Sequence, residues 1–399
     1  MAKKIYVGVD NLARSVNTAY IGVNNIAKKV KKAYVGVGGK ARLFYSEQPT
    51  NPVYYKTGLE YMYEHSRGGA VTNTEGDKII IIDDFYAIGD GHYKAEMINK
   101  NRVKTELKNS DGLSYIGFAN SKNHAVFAGG YNPVNKKYNN TSIAYSFSTG
   151  VKTTLLNIIY PTKGITGTGF NNCAYFGGGD PQTVATKAYY FRFDENLVYH
   201  SIENNVRSRS NGVSMAASNY GVFTCGGNAP DKDVANIRDK NFIRMNISGL
   251  PAAKLLHAAE AIGLLENIIM CGGSSSTSTS MGDLNNTTKT QDFLYSINKN
   301  FVATNIGTMT LSGCPYANTN KIMFVICPDP YNDSRKNTLE VYNSKLIRTH
   351  VLNEDVSIQP YPGKSSGYSD FYARYKCFLG DGIFFANNDD TSMAEVAFV

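Results

Sequence analysis

"CAYFGGG", residues 173–179, sets a cysteine, an alanine and two aromatics side by side and then stops on three glycines. A short apolar run that ends in small, turn-forming residues reads as a β-strand. The phrase recurs as "HAVFAGG" (124–130), "GVFTCGG" (221–227) and "NIIMCGG" (267–273). From Gly129 the next doublets begin at Gly178, Gly226 and Gly272, at intervals of 49, 48 and 46 residues. A strand ending in Gly-Gly with a period near 50 is the signature of a propeller blade. Weaker copies, without the glycine pair, are "KIIIIDD" (78–84), "IMFVICPD" (322–329) and "GIFFANND" (382–389).

Each unit divides into four strands. A strand with small residues precedes the glycine strand, as in "YIGFAN" (115–120) and "GVSMAASN" (212–219). A polar loop then leads to a third strand containing Tyr or Phe: "SIAYSFS" (142–148), "KAYYFRF" (187–193), "KNFIRMN" (240–246), "DFLYSIN" (292–298) and "TLEVYN" (338–343). A fourth strand leads onward, as in "VKTTLLNII" (151–159) and "VATNIG" (302–307). The expected fold is all-β: a seven-bladed β-propeller, with six blades as the alternative, over residues 46–399, preceded by a small repetitive β-meander over residues 1–45.

"AVFAGG", "AYFGGG", "VFTCGG" and "IIMCGG" resemble the kelch family of propellers. The chain has no tryptophan, which that family usually carries in the third strand; Tyr145, Tyr190, Phe242 and Tyr295 stand in that neighbourhood. Gly129, Gly130, Gly178, Gly179, Gly226, Gly227, Gly272 and Gly273 read as architectural, placed where inner strands crowd a central channel and only a residue without Cβ fits. A phosphate cradle is the weaker reading, because "GGGDP" lacks the Gly-Lys-Ser/Thr continuation. The last unit has three strands, "SDFYARY", "KCFLGDGIFFANN" and "MAEVAFV", so an edge is left open. Residues 51–58, "NPVYYKTG", are expected to close it beside residues 393–399.

Composition narrows the chemistry. Cys225, Cys271 and Cys327 fill the slot that Ala128 and Gly177 hold elsewhere, so they read as small buried residues. Cys173, Cys314 and Cys377 form no CxxC pair, and no metal or cofactor is expected. The six histidines are scattered, with no HExxH and no GxSxG. Asp83-Asp84 and Asp389-Asp390 invite a glycosidase reading, but the repeated Ser-x-Asp turns of sialidase-type propellers are missing. The expectation is binding without catalysis, and no run of 18 apolar residues offers a membrane span.

In a kelch-like blade the loops between second and third strands emerge on one face, near the connections between blades. Here they are residues 130–142, 179–187, 228–240, 274–290 and 328–338, rich in Asn, Ser, Thr, Asp and Lys. Tyr131, Asn135, Tyr138, Asp180, Asp231, Asp283 and Tyr331 are the candidate receptor-binding residues.

The amino terminus carries a different repeat, of period 14. Tyr6, Tyr20 and Tyr34 align, as do Gly8, Gly22 and Gly36, and Val9, Val23 and Val37. Asp10-Asn11, Asn24-Asn25 and Gly38-Gly39 suit two-residue hairpin turns. That register sets Ile21 opposite Lys28 and Tyr20 opposite Lys29; the rival is a short helix capped by Asn24. Residues 1–45 hold nine Lys or Arg against one acidic residue, while the remainder holds 32 of each sign. Such charge could meet an anionic surface or nucleic acid, or be a lysine edge that discourages aggregation.

Tandem "YxGVNNxAxKVKKAYxGV" units resemble those of tail-associated proteins of phages and phage-tail-like bacteriocins from low-GC Gram-positive bacteria. That resemblance implies a tail fibre or receptor-binding protein, with residues 1–45 attached to other tail or baseplate proteins, a trimer favoured, and no nucleic-acid partner. The propeller would meet a bacterial cell-surface glycan or surface-layer protein. The implied location is the virion or tail particle, made in the bacterial cytoplasm and released by lysis. A purely structural baseplate or decoration subunit is the alternative, and a glycan-cleaving tail enzyme the third reading.

Overall fold

Among the described residues every regular element is a β-strand in the computed structural model. Side chains are described for residues 69–82, 95–109, 116–132, 136–162, 164–179, 189–202, 215–225, 235–251, 261, 263, 264, 266–270, 294–308 and 379. The chain forms two compact units, Met1–Val53 with Phe398–Val399, and Tyr54–Ala397.

In the first unit the 14-residue repeat is a series of hairpins: Ile5–Val9 with Leu12–Val16, Tyr20–Val23 with Ile26–Lys29, and Lys32–Val37 with Lys40–Ser46. Tyr20 pairs with Lys29 and Ile21 with Lys28, as the turn register requires. Ile26–Lys29 is a strand, so the helix reading falls. Each hairpin is its own two-stranded sheet among the described residues, where a continuous meander was expected. The turn dipeptides lie outside the described residues.

The second unit is a succession of four-stranded antiparallel sheets, seven among the described residues. The second sheet runs Gly117–Asn120, His124–Ala128, Ser142–Ser146, Lys152–Thr154, and the third Thr166–Phe170, Cys173–Gly177, Ala188–Phe193, Tyr199–Val206. The fourth sheet starts with Val213–Ala217 and the fifth with His257–Gly263. First strands of successive sheets pack side by side: Gly69–Thr72, Gly117–Asn120, Thr166–Phe170, Val213–Ala217, His257–Gly263, Ala317–Asn318 and Cys377–Leu379. Cys377–Leu379 also packs against Gly69–Thr72. The seventh sheet takes its first three strands, Cys377–Leu379, Gly382–Ala386 and Ser392–Phe398, from the carboxyl end. Its fourth is Pro52–Glu60, the strand expected from "NPVYYKTG".

Burial explains why the second strands do not alternate. In "HAVFA", Ala125 and Phe127 join a cluster with Val71, Ile80 and Ile82 of the preceding sheet. Val126 and Ala128 join the next cluster, with Ala174, Phe176 and Phe191 of the following sheet. A strand sandwiched between two sheets needs apolar residues at both parities. Each large side chain buried this way contributes roughly 1.5–3 kcal/mol. Cys173 and Cys225 are buried free thiols in these layers.

One expectation needs correction. The third strand of the fourth sheet is Ala235–Asp239, not residues 240–246. Phe242 lies in the following turn, so it does not fill the place of a third-strand tryptophan. Tyr145 and Tyr295 lie in third strands but at different levels: Tyr145 faces Ala125, the fourth residue before Gly129, whereas Tyr295 faces Met270, the second before Gly272.

The turn that holds Phe242 is itself a repeat that the glycine pattern obscures. "NKNRV" (99–103), "DENLV" (194–198), "DKNFI" (239–243) and "NKNFV" (298–302) link third to fourth strands. In each, the leading Asn or Asp accepts two backbone N–H groups. Asp239 Oδ1 takes them from Asn241 and Ile243 at 2.9 Å each, and Asp194 Oδ1 from Asn196 at 2.9 Å and Val198 at 3.0 Å. The fourth residue is left-handed: φ is 64° at Arg102, 64° at Leu197, 63° at Phe242 and 60° at Phe301. The fifth is β-branched and exposed in every case. Among the described residues no helix is long and apolar enough to cross a membrane.

Candidate functional site

In an antiparallel four-stranded meander the second-to-third loop and the outgoing connector leave from one end, and the two other turns from the opposite end. On the second sheet the loop end is built by its glycines. Gly129 and Gly130 hold φ values of 70° and 111° and swing the chain out of His124–Ala128. A Cβ on Gly129 would stand 2.6 Å from Ile165 Cδ1 and 2.7 Å from the Thr162 carbonyl oxygen. The crowding therefore comes from the connector to the next sheet, residues 155–165, rather than from inner strands around a channel. Gly178 and Gly179 have φ of 74° and 90° and act alike, whereas Gly226 ends its strand and Gly272 and Gly273 lie within Ile268–Ser274. Gly227 lies outside the described residues.

Released by these glycines, the chain forms a small ribbon in which Tyr131 pairs with Tyr138 and Asn132 with Lys137. The two rings meet edge to face with centroids 5.9 Å apart, both half-buried, while Lys136 and Lys137 are exposed. The base of the ribbon is stitched to the connector. Asn139 N donates to Gly130 O at 2.8 Å, Gly130 N to Thr162 O at 2.7 Å, Thr162 N to Asn139 O at 3.1 Å, and Ile158 N to Asn140 O at 2.9 Å. Asn139 Oδ1 accepts from Thr141 N at 2.9 Å. These bonds satisfy backbone groups that an irregular loop would otherwise leave to water.

Behind the ribbon the connector docks on the third sheet. Tyr189 donates its hydroxyl to Tyr160 O at 3.0 Å, and their rings cross at 5.5 Å. Burial pushes the Tyr189 hydroxyl up to about 12, against the hydrogen bonds that favour its anion, so it stays a neutral donor. Thr162–Lys163 pairs with Asp180–Pro181, which ties the connector to the second-to-third loop of the third sheet.

The structure thus brings two of the candidate residues, Tyr131 and Tyr138, into contact and places the backbone of Asp180 on the adjoining ribbon. Asn135, Asp231, Asp283 and Tyr331 lie outside the described residues. Reading the sequence missed Thr162, which is fully buried at the centre of the stitching, and Leu156 and Ile159, which are 66% and 45% exposed on the connector. The fourth strand expected over "VKTTLLNII" (151–159) is only Lys152–Thr154.

Among the described residues no group of three or more His, Cys, Asp or Glu is placed to hold a metal ion. The arrangement can form hydrogen bonds and apolar contacts with a surface laid across it. No family model matches the chain, and no curated protein matches it. A solved structure titled "Structure of YjhT" aligns over 74% of this chain and 99% of its own, at 12% identity and a TM-score of 0.48.

Proposed function

We propose that the chain is a tail-fibre or receptor-binding subunit of a phage or phage-tail-like particle. In this reading the four-stranded sheets are the blades of a closed, kelch-like, seven-bladed propeller. The cyclic packing of first strands and the seventh sheet drawn from both chain ends support that closure. The propeller meets a bacterial cell-surface receptor through its loop end, and the amino-terminal hairpins anchor it, as a trimer, to other tail or baseplate proteins.

The observation that carries the binding role is the tyrosine ribbon. Two half-buried aromatic rings in mutual contact, held on a hydrogen-bonded base, give a rigid amphipathic contact surface at low entropic cost. Support for the anchoring role is the repeated hairpin with its excess of lysine.

The test is adsorption of the purified full chain to intact bacterial cells, wild type against Tyr131→Ala/Tyr138→Ala. The double variant should keep its fold and lose about tenfold or more in apparent affinity. In particles, deleting residues 1–45 should abolish incorporation while the remaining chain still adsorbs to cells. Adsorption that both changes leave untouched would refute the assignment.

A further inference from the structure

One second strand breaks the pattern of the others. Two residues before the glycines at 129, 178 and 272 stand Phe127, Phe176 and Met270, all fully buried. Each faces a large aliphatic or aromatic residue on the third strand: Ile143, Phe191 and Tyr295. In the fourth sheet the same slot, two residues before Gly226, holds Thr224, and the residue opposite it is Asn236. These two are 1% and 4% exposed. A small polar pair thus stands where the other sheets bury two large side chains, and it is no closer to solvent.

The third sheet supplies one partner. Asn236 Nδ2 donates to Tyr190 Oη at 2.8 Å, so the pair faces that sheet. Met215, which pairs with Thr224 from the first strand, packs there with Tyr175 and Tyr190. Tyr190 is fully buried and lies across Gly177, where a Cβ would stand 2.1 Å from its Cδ1. After the one bond to Tyr190, three needs remain. Among the described residues, Asn236 Oδ1 and Thr224 Oγ1 are buried and meet no hydrogen-bond partner. The Tyr190 hydroxyl, which accepts from the amide, still has its own proton to donate. Turning the amide over only moves the gap, since the hydroxyl would then donate to Oδ1 and leave Nδ2 orphaned. A buried polar group left in this way costs its full desolvation.

We infer that Thr224, Asn236 and Tyr190 bind a structural water between the third and fourth sheets, near the loop end. Residues directly opposite on neighbouring antiparallel strands share a face, with Cβ atoms roughly 5 Å apart. One water spans about that distance with two hydrogen bonds of about 2.8 Å. It donates to Asn236 Oδ1 and accepts the Tyr190 proton, with the Thr224 hydroxyl as third partner; about three bonds is usual for a buried water. Neither Thr224 nor Asn236 carries a charge, so the site suits water and not an ion.

The test is a crystal structure of the full chain at a resolution that shows ordered water, together with urea unfolding of Thr224→Val. Wild-type density should place a water within hydrogen-bonding distance of all three side chains. Valine keeps the shape of threonine and suits a strand at least as well. With the water in place, losing the hydroxyl leaves it one bond short, so the midpoint should fall and the unfolding constant should rise about fivefold. Without it, the variant removes an orphaned hydroxyl and the midpoint should rise. An unchanged or higher midpoint therefore overturns the inference. So does a wild-type map with a protein group, or no density, between the three side chains, and that map decides the matter even where the variant does not fold.

Discussion

The ring of Phe242 stacks on that of Tyr175 with centroids 5.7 Å apart, although the two residues belong to different sheets and Phe242 is held at a φ of 63°. Phe170 meets the same ring edge-on at 5.5 Å, and the Arg192 guanidinium lies 4.7 Å from its centroid. A turn residue of the fourth sheet therefore plugs the third. Phe301 plugs the fourth sheet in the same way, against Tyr220 at 5.9 Å. In the second sheet the equivalent turn residue is Gly150, and Leu107 of the first sheet occupies the space a side chain there would take. The left-handed backbone costs about 1 kcal/mol for a residue with a Cβ, and the packing of the plug offsets it.

This balance sets the order of two variants. Phe242→Ala loses the packing and keeps the strain, for a cost of about 3 kcal/mol. Phe242→Gly loses the same packing but relieves the strain, so it should be the more stable of the two by about 1 kcal/mol, the reverse of the usual order in a strand. Urea unfolding of the two proteins decides it. A Gly variant less stable than the Ala variant would mean that the turn, not the plug, governs the site.

Two glycines with the same backbone should respond differently to a methyl group. Gly129 and Gly164 have φ of 70° and 66°, but a Cβ on Gly129 meets the Thr162 carbonyl at 2.7 Å, whereas one on Gly164 meets nothing within 4 Å. Gly164→Ala should cost about 1 kcal/mol of strain alone, and Gly129→Ala at least about 2 kcal/mol more, because backbone must shift. Equal midpoints in urea would remove the close approach from the account of the glycine doublet.

Asp194 gives a pH signature. Burial opposes its charge, but hydrogen bonds from His200, Val198 N and Asn196 N, together with the His200 charge, outweigh it and hold the carboxyl below its usual value. A carboxylate with a depressed folded pKa contributes stability above its unfolded pKa, and that contribution disappears as pH falls through the folded value. Asp194→Asn keeps the turn, since Asn99 and Asn298 do the same work elsewhere, and loses only the ionic part. Stability curves of wild type and Asp194→Asn should differ at neutral pH and converge below about pH 4, the ordinary range of an Asp carboxyl. A gap that persists undiminished in acid would show that the carboxylate is not what stabilises the turn.

The seventh sheet predicts where the chain tolerates truncation. A chain starting at Pro52 keeps the strand that pairs with Ser392–Phe398, and one starting after Glu60 does not. The first should remain folded and monomeric by size-exclusion chromatography. The second exposes the edge of the last strand and should aggregate or unfold. Identical elution of the two would exclude closure by Pro52–Glu60.

Much of this protein was written in local pattern. Apolar runs ending at Gly129, Gly178 and Gly226 marked second strands through their period near 50, while their coverage on both faces shows only in the packing of neighbouring sheets. Tyr-Ile-Gly-Val with Asn-Asn set the register of Tyr20 against Lys29, because a two-residue turn leaves one pairing. An unpaired final strand pointed to Pro52–Glu60, because an open edge demands a partner wherever it lies in the chain. Residues 240–246, "KNFIRMN", read as strand because Phe242 and Ile243 have high β propensity, and the turn capped by Asp239 shows only in its hydrogen bonds. What tertiary structure alone decided is what lies between sheets: Phe242 on Tyr175, and the fully buried Thr162 holding ribbon to connector. It also decided that Ile158 points inward while Leu156 and Ile159 point outward. These contacts join residues tens of positions apart, and a repeat can state its period without stating which neighbour each copy will touch.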